Sequence, residues 1–242
     1  MLYKKLVTFF VVAIVTVAAA VASFAATPTL SDKDKVQRRV LTPINLAILI
    51  QDDLVSQVGN ELDETRDFIR SLPSGSQVMV GYITTGTQQV RQPFTTDLEK
   101  AAGSLRIVKS STSASAFNPY VEVIEALRKF ESGKGKNVLL LISDGLDTSR
   151  GFDSSAAGNT LDLHRAIENA RKREVAVYTF FAPSVGLTSR NHLAVSYGQS
   201  SLNRLANETG GKAFFQGSGF VSFSPYFRRL REALNEQYAK AY

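Results

Sequence analysis

The chain contains no cysteine, and only two histidines occur among its 242 residues. The first absence excludes structural disulfides, thiolate zinc centres, cysteine nucleophiles and lipid attachment at an N-terminal cysteine. His164 and His192 show no metal-ligand spacing, which argues against a histidine-rich metalloenzyme. No G-x-x-x-x-G-K-[ST] loop is present to cradle phosphate, and no G-x-S-x-G turn to present a nucleophilic serine. Phe and Tyr fall mostly at core spacing, so no stacking platform for nucleic acid is evident. What is present is a globular balance, 44% apolar and 21% charged residues with a formal charge of +6. A chain of this length and composition buries a sizeable core without staples.

Residues 1–26 form a separate object. Lys4 and Lys5 precede an uncharged, mostly apolar run from Leu6 to Ala22, and Ser23-Phe24-Ala25 places small residues at the −3 and −1 positions of a cleavage site. The pattern predicts a secretory signal peptide; the alternative is an N-terminal membrane anchor, since the run reaches the roughly 20 residues needed to span. Either way the remainder is expected outside the cytoplasm, periplasmic or secreted, touching a membrane only through that segment. Residues 27–42 are polar and charged and read as a linker, leaving 43–242 as the domain.

Short, β-branched apolar runs at 44–50, 78–83, 138–142 and 175–181 predict strands buried on both faces. Helical periodicity lies between them. Val58, Leu62, Thr65, Ile69 and Leu72 share one face, ended by Pro73-Ser74-Gly75. Thr96 and Glu99 are spaced as a capping box, and Asn118-Pro119 as an N-cap with proline in the first turn. Further helices are expected around Leu163–Ala170, Leu202–Ala206 and from Ser224-Pro225 onward, with 182–198 as a long irregular loop. The alternation implies an α/β, doubly wound, mostly parallel open sheet. Gln88–Gln92 should pair antiparallel at one edge, because Thr85-Gly86-Thr87 is too short for a crossover.

Ligands of such sheets bind beyond the carboxyl ends of the strands, where strand order reverses. Asp52-Asp53 and the run from Ser143-Asp144-Gly145 to Asp147 follow two of the predicted strands, and Ser110–Ser115 precedes the helix at Asn118. Carboxylates and hydroxyls from three loops are the hard oxygen donors that Mg²⁺ takes. Asp147 reads instead as a loop cap through Thr148 and Ser149.

With those residues in place, the chain resembles a von Willebrand factor type A domain of the exported bacterial, acidobacterial-type subgroup. The likeness rests on Asn45 to Ser56, FIRSLPSGSQVMVGYI at 68–83, VLLLISDGLDTS at 138–149, GQSSLNRLANETGGKAFF at 198–215 and LNEQYAKAY at 234–242. It implies a Rossmann-like fold and a metal-ion-dependent adhesion loop of the form Asp-x-Ser-x-Ser, completed by a Thr and a distant Asp. Carried over by position, Asp52 and Ser56 take the first and last places, Ser115 stands in for the Thr, and Asp144 is the distant Asp. Leu54 stands where the middle Ser belongs and supplies no ligand. The resemblance therefore implies a degenerate site with weak Mg²⁺ at most, in an exported, non-enzymatic domain that binds a protein partner through the top of its sheet. The alternative is a structural subunit of a cell-envelope complex that docks through helix faces without metal.

Overall fold

Each of the apolar runs at 44–50, 78–83, 138–142 and 175–181 becomes a strand. The computed structural model describes residues 40–84, 87–111, 118–131, 135–152 and 160–239. The expected leader, most of the linker and Ser115 lie outside these residues. The strands β1 (Ile44–Gln51), β2 (Gln77–Thr84), β4 (Lys136–Ser143) and β5 (Val175–Phe181) are parallel, as is the two-residue β6 (Ala213–Phe214). β3 (Thr87–Thr95) pairs antiparallel with β2 and forms one edge, with the strand order β3-β2-β1-β4-β5-β6. The expected architecture holds, with the edge strand longer than Gln88–Gln92. Its register slips opposite Val78–Gly81, and Pro93 is tolerated because no described strand pairs on the outer side. β1 is central, held by seven residue pairs to β2 and seven to β4.

Alternation along the strands divides the core in two. Ile44, Leu46, Ile48 and Ile50 face one layer, while Ala47 and Leu49 face the other. The first layer is covered by α1 (Gln57–Asn60), α2 (Leu62–Arg70), α3 (Leu98–Gly103) and α7 (Ser224–Ala239). Here Phe180 meets Phe214, Tyr226 and Phe227 edge to face, with ring centroids 5.6, 5.3 and 5.0 Å apart. The second layer is covered by α4 (Pro119–Leu127), α5 (Leu161–Lys172) and α6 (His192–Glu208).

Helix boundaries follow their caps. Asn118 accepts from the N–H groups of Tyr120 and Val121, with Pro119 in the first turn as expected. The helix expected from Val58 to Leu72 is broken at Glu61, which caps α2. The cap of α3 is Asp97, which accepts from Lys100 N–H, rather than Thr96. The largest departure is α6. The stretch expected to be irregular to Gly198 turns helical at His192, where the Asn191 side chain accepts from Leu193 and Ala194 N–H. Gly198 resembles a helix breaker in sequence. In the fold it is a point of close approach: a Cβ there would overlap the Asp144 carbonyl oxygen, so only glycine lets α6 settle on the turn after β4.

The chain enters the domain at the opposite edge from that turn. Val40 is already buried in the first layer, and Leu41 N–H donates to Asn235 Oδ1 of α7 at 3.0 Å.

Candidate functional site

Strand order reverses between β1 and β4: the chain leaves β1 toward β2 on one side and returns to β4 on the other. The carboxyl ends of these two strands therefore border the crevice where α/β sheets carry ligands. Gln51 ends β1 and Ser143 ends β4, and both are buried. Gln51 Oε1 accepts from Ser143 Oγ at 2.5 Å and from Asp144 N–H at 3.3 Å, while its Nε2 donates to Asp53 Oδ1 at 2.7 Å. Asp144 is fixed from both sides, since Leu146 N–H donates to Oδ1 (3.1 Å) and Thr188 Oγ1 to Oδ2 (3.2 Å). Thr188 in turn accepts from Ser184 N–H at 2.7 Å. The 182–190 segment is laced to the β1 loop by Val55 N–H to Pro183 O and Val185 N–H to Asp53 O.

The two adjacent aspartates diverge. Asp52 continues the parity of Ile48 and Ile50, and its carboxylate takes a two-pronged ion pair from Arg106, with Nη1 to Oδ1 at 2.6 Å and Nη2 to Oδ2 at 2.9 Å. Lys109 N–H donates to Oδ1 at 3.0 Å. The Arg106 guanidinium lies 4.0 Å from the Tyr82 ring centroid, and Tyr82 Oη both accepts from Arg106 N–H and donates to Arg106 O. Burial pushes the Asp52 carboxyl up, but the Arg106 and Lys109 hydrogen bonds and charges outweigh it and hold it below the usual carboxylate range. Asp53 shares the parity of Gln51 and faces Asp144. Burial first, and then the Asp144 carboxylate, push it up to about 7. Burial also raises Asp144, against the hydrogen bonds it accepts.

The expected ligands that lie among the described residues are placed as follows. Asp52 is not brought to Asp144; strand parity turns it to the other side, and Asp53 takes that place. Leu54 is buried in the first core layer and paired backbone to backbone with Ser184, so no hydroxyl is missing from a ligand shell there. Ser56 is exposed at the start of α1 and makes no capping hydrogen bond. Ser115 lies outside the described residues. Asp147 caps its own loop, accepting from Ser149 N–H and Oγ, and also from Asn118 Nδ2. Among the described residues, Asp52 and Ser56 are not brought to Asp144, and no group of three His, Asp or Glu there could hold a metal. With both of its carboxylate oxygens taken by Arg106, Asp52 as placed does not fit a bound Mg²⁺. Gln51, Arg106 and Thr188 were missed by motif reading; parity counted forward from Leu49 was the one signal that set Gln51 and Asp53 on the same side.

Exposed apolar side chains stand on the segments that open at this edge. Among the described residues, five large apolar side chains are exposed, and four stand on segments opening at this edge. Val121 (37% exposed), Leu161 (62%) and Leu193 (49%) lie in the first turns of α4, α5 and α6, and Ile107 (70%) lies in the segment that Arg106 anchors.

No protein-family model matches the sequence, and no curated protein matches it. Solved structures do match. BatB from Bacteroides thetaiotaomicron shares 14% identity and a TM-score of 0.52 over 81% of this chain and 99% of that one. An aerotolerance-related membrane protein from Bacteroides fragilis shares 13% and 0.51 over 80% and 99%. The von Willebrand factor domain of the type V pilus tip protein Mfa5 from Porphyromonas gingivalis shares 11% and 0.52 over 81% and 96%. At these identities the likeness is one of fold, and the fold is that of von Willebrand factor type A domains. No helix among the described residues is long and apolar enough to cross a membrane.

Proposed function

We propose that this is a non-enzymatic interaction domain that binds a protein partner on the carboxyl edge of its sheet, with no bridging cation. The carrying observation is the placement of Ile107, Val121, Leu161 and Leu193 around the β1–β4 crevice. Exposed apolar side chains scattered singly need no explanation, but four gathered on one edge of a fold that carries ligands there mark a docking surface. The polar groups inside that ring are turned inward and satisfied: Asp52 by Arg106, and Asp144 by Leu146 and Thr188. The basic, apolar first 26 residues support placing this activity outside the cytoplasm, as in the exported subgroup the chain resembles, and cell fractionation checks it.

The test is site-specific photocrosslinking in envelope preparations of the source cells. A probe at position 161 or 193 is expected to give a discrete adduct with and without chelator, and a probe at position 41, exposed at the opposite edge, is expected to give none. Equal labelling from both edges, or an adduct abolished by chelator, refutes the reading.

A further inference from the structure

The crevice between β1 and β4 gathers two carboxylates, Asp53 and Asp144, with the hydroxyls of Ser143, Ser184 and Thr188. By donor chemistry alone this would suit a hard divalent cation. The group that joins them is a carboxamide, and its orientation is fixed. Asp144 N–H can only donate, so the Gln51 atom turned to it is the oxygen, and the NH₂ is left facing Asp53 Oδ1 at 2.7 Å. An amide nitrogen has no lone pair to give a metal, and its hydrogens repel one. The oxygen already serves Ser143 Oγ at 2.5 Å. Both Asp144 oxygens are engaged as well.

We infer that the Gln51 side chain does the linking work a divalent cation would do at this crevice, so that the edge is organised without metal and residue 51 alone separates it from a cation-binding form. Three connections that an ion would make through its ligands are made here by one amide: to the end of β4, to the Asp144 backbone and to the loop carrying Asp53. An anionic group at position 51 would remove the NH₂ donor and place a third carboxylate beside Asp53 and Asp144, with the Ser143 hydroxyl against it. Three carboxylates in one buried crevice repel unless a counter-ion lies between them. The inference concerns the cation chemistry of the edge and does not depend on what docks there; a failed crosslinking experiment leaves it standing, and its failure leaves the docking surface standing.

Full-length protein, Gln51→Glu and the double variant Gln51→Glu/Asp53→Asn are compared by thermal melting in EDTA and in Mg²⁺ or Mn²⁺, and by Mn²⁺ titration followed by electron paramagnetic resonance. Wild type is expected to melt at the same temperature in all buffers and to leave the free-ion signal unchanged. Gln51→Glu is expected to melt lower in EDTA, to recover saturably with metal, and to bind Mn²⁺ roughly tenfold or more tightly than wild type. The double variant is expected to lose that response. Saturable metal binding by wild type overturns the inference, as does a folded Gln51→Glu protein indifferent to metal. Should Gln51→Glu fail to fold in every buffer, Gln51→Asp, with one methylene less to accommodate, carries the same two outcomes.

Discussion

Replacing Asp53 by Asn isolates the electrostatics of the β1–β4 crevice, because the Asn side-chain oxygen still accepts from Gln51 Nε2 while the charge is removed. Burial and the Asp144 carboxylate move Asp53 from an ordinary 3.8 to about 7 in the folded protein. The unfolded chain releases this proton near the ordinary value, whereas the folded chain holds it to about 7. Over that interval the folded state binds more protons, so stability falls as pH rises and the loss is complete above the folded value. At about 1.36 kcal/mol for each tenfold change in proton affinity, the interval corresponds to about 4 kcal/mol. Asp53 is only half-buried, and solvent reduces this to an expected ~2 kcal/mol. Asp52 acts in the opposite sense: its lowered value contributes stability above the ordinary carboxylate range that is lost only as pH falls through it. Asp52 is common to both proteins, so its contribution largely cancels in the difference. Urea denaturation followed by circular dichroism at a series of pH values from about 4.5 to 8 should show Asp53→Asn near wild type at the acid end and about 2 kcal/mol more stable at the alkaline end. A variant no more stable than wild type at pH 8, or a difference that does not grow with pH, refutes the assignment of Asp53 to the crevice.

Arg106→Ala leaves the buried Asp52 carboxylate with little compensation and should cost about 3–5 kcal/mol in the same assay. Arg106→Lys should recover only part of this, since a point charge replaces neither the two-pronged geometry nor the stacking on Tyr82. Leu54→Ser should lose about 2–4 kcal/mol through the emptied core position and the buried hydroxyl, and should leave melting in Mg²⁺ equal to melting in EDTA. Improved metal binding by that variant would restore the adhesion-loop reading of residues 52–56. Gly198→Ala drives a methyl into the Asp144 carbonyl and should cost about 3 kcal/mol or more, with the crevice disturbed as well; a neutral effect would mean that α6 does not rest on that turn.

The strands were legible because burial on both faces leaves runs rich in β-branched and aromatic residues with no charged side chain to interrupt them. β5, buried at all seven positions, is the plainest case. Asn118-Pro119 announced α4 because both residues act within the first turn. The start of α6 was hidden because its inward face is built from small residues, Ala194, Val195, Gly198 and Ser201, so no apolar stripe appears until Leu202. The site was harder for a different reason. Asp52 and Asp53 are identical neighbours, and which one faces Asp144 depends on a single step of strand parity. The Arg106 partner lies 54 residues away in an irregular segment, reached through no motif. Matching the Asp-x-Ser-x-Ser spacing pointed to Asp52, whereas it is Asp53 that feels the Asp144 carboxylate.

The position of β1 also governs how the domain answers to force. The chain reaches β1 from Val40 at one edge of the sheet, and the proposed partner docks at the other, so tension between the leading segment and a bound partner runs along the β1 axis. Both flanking strands are parallel to it, with seven residue pairs on each side. Such a pull loads two ladders in shear, with many hydrogen bonds sharing the stress, instead of opening them one after another from an end. Leu41 is tied in turn to Asn235, so load on this entry segment is shared with α7 as well as with β1.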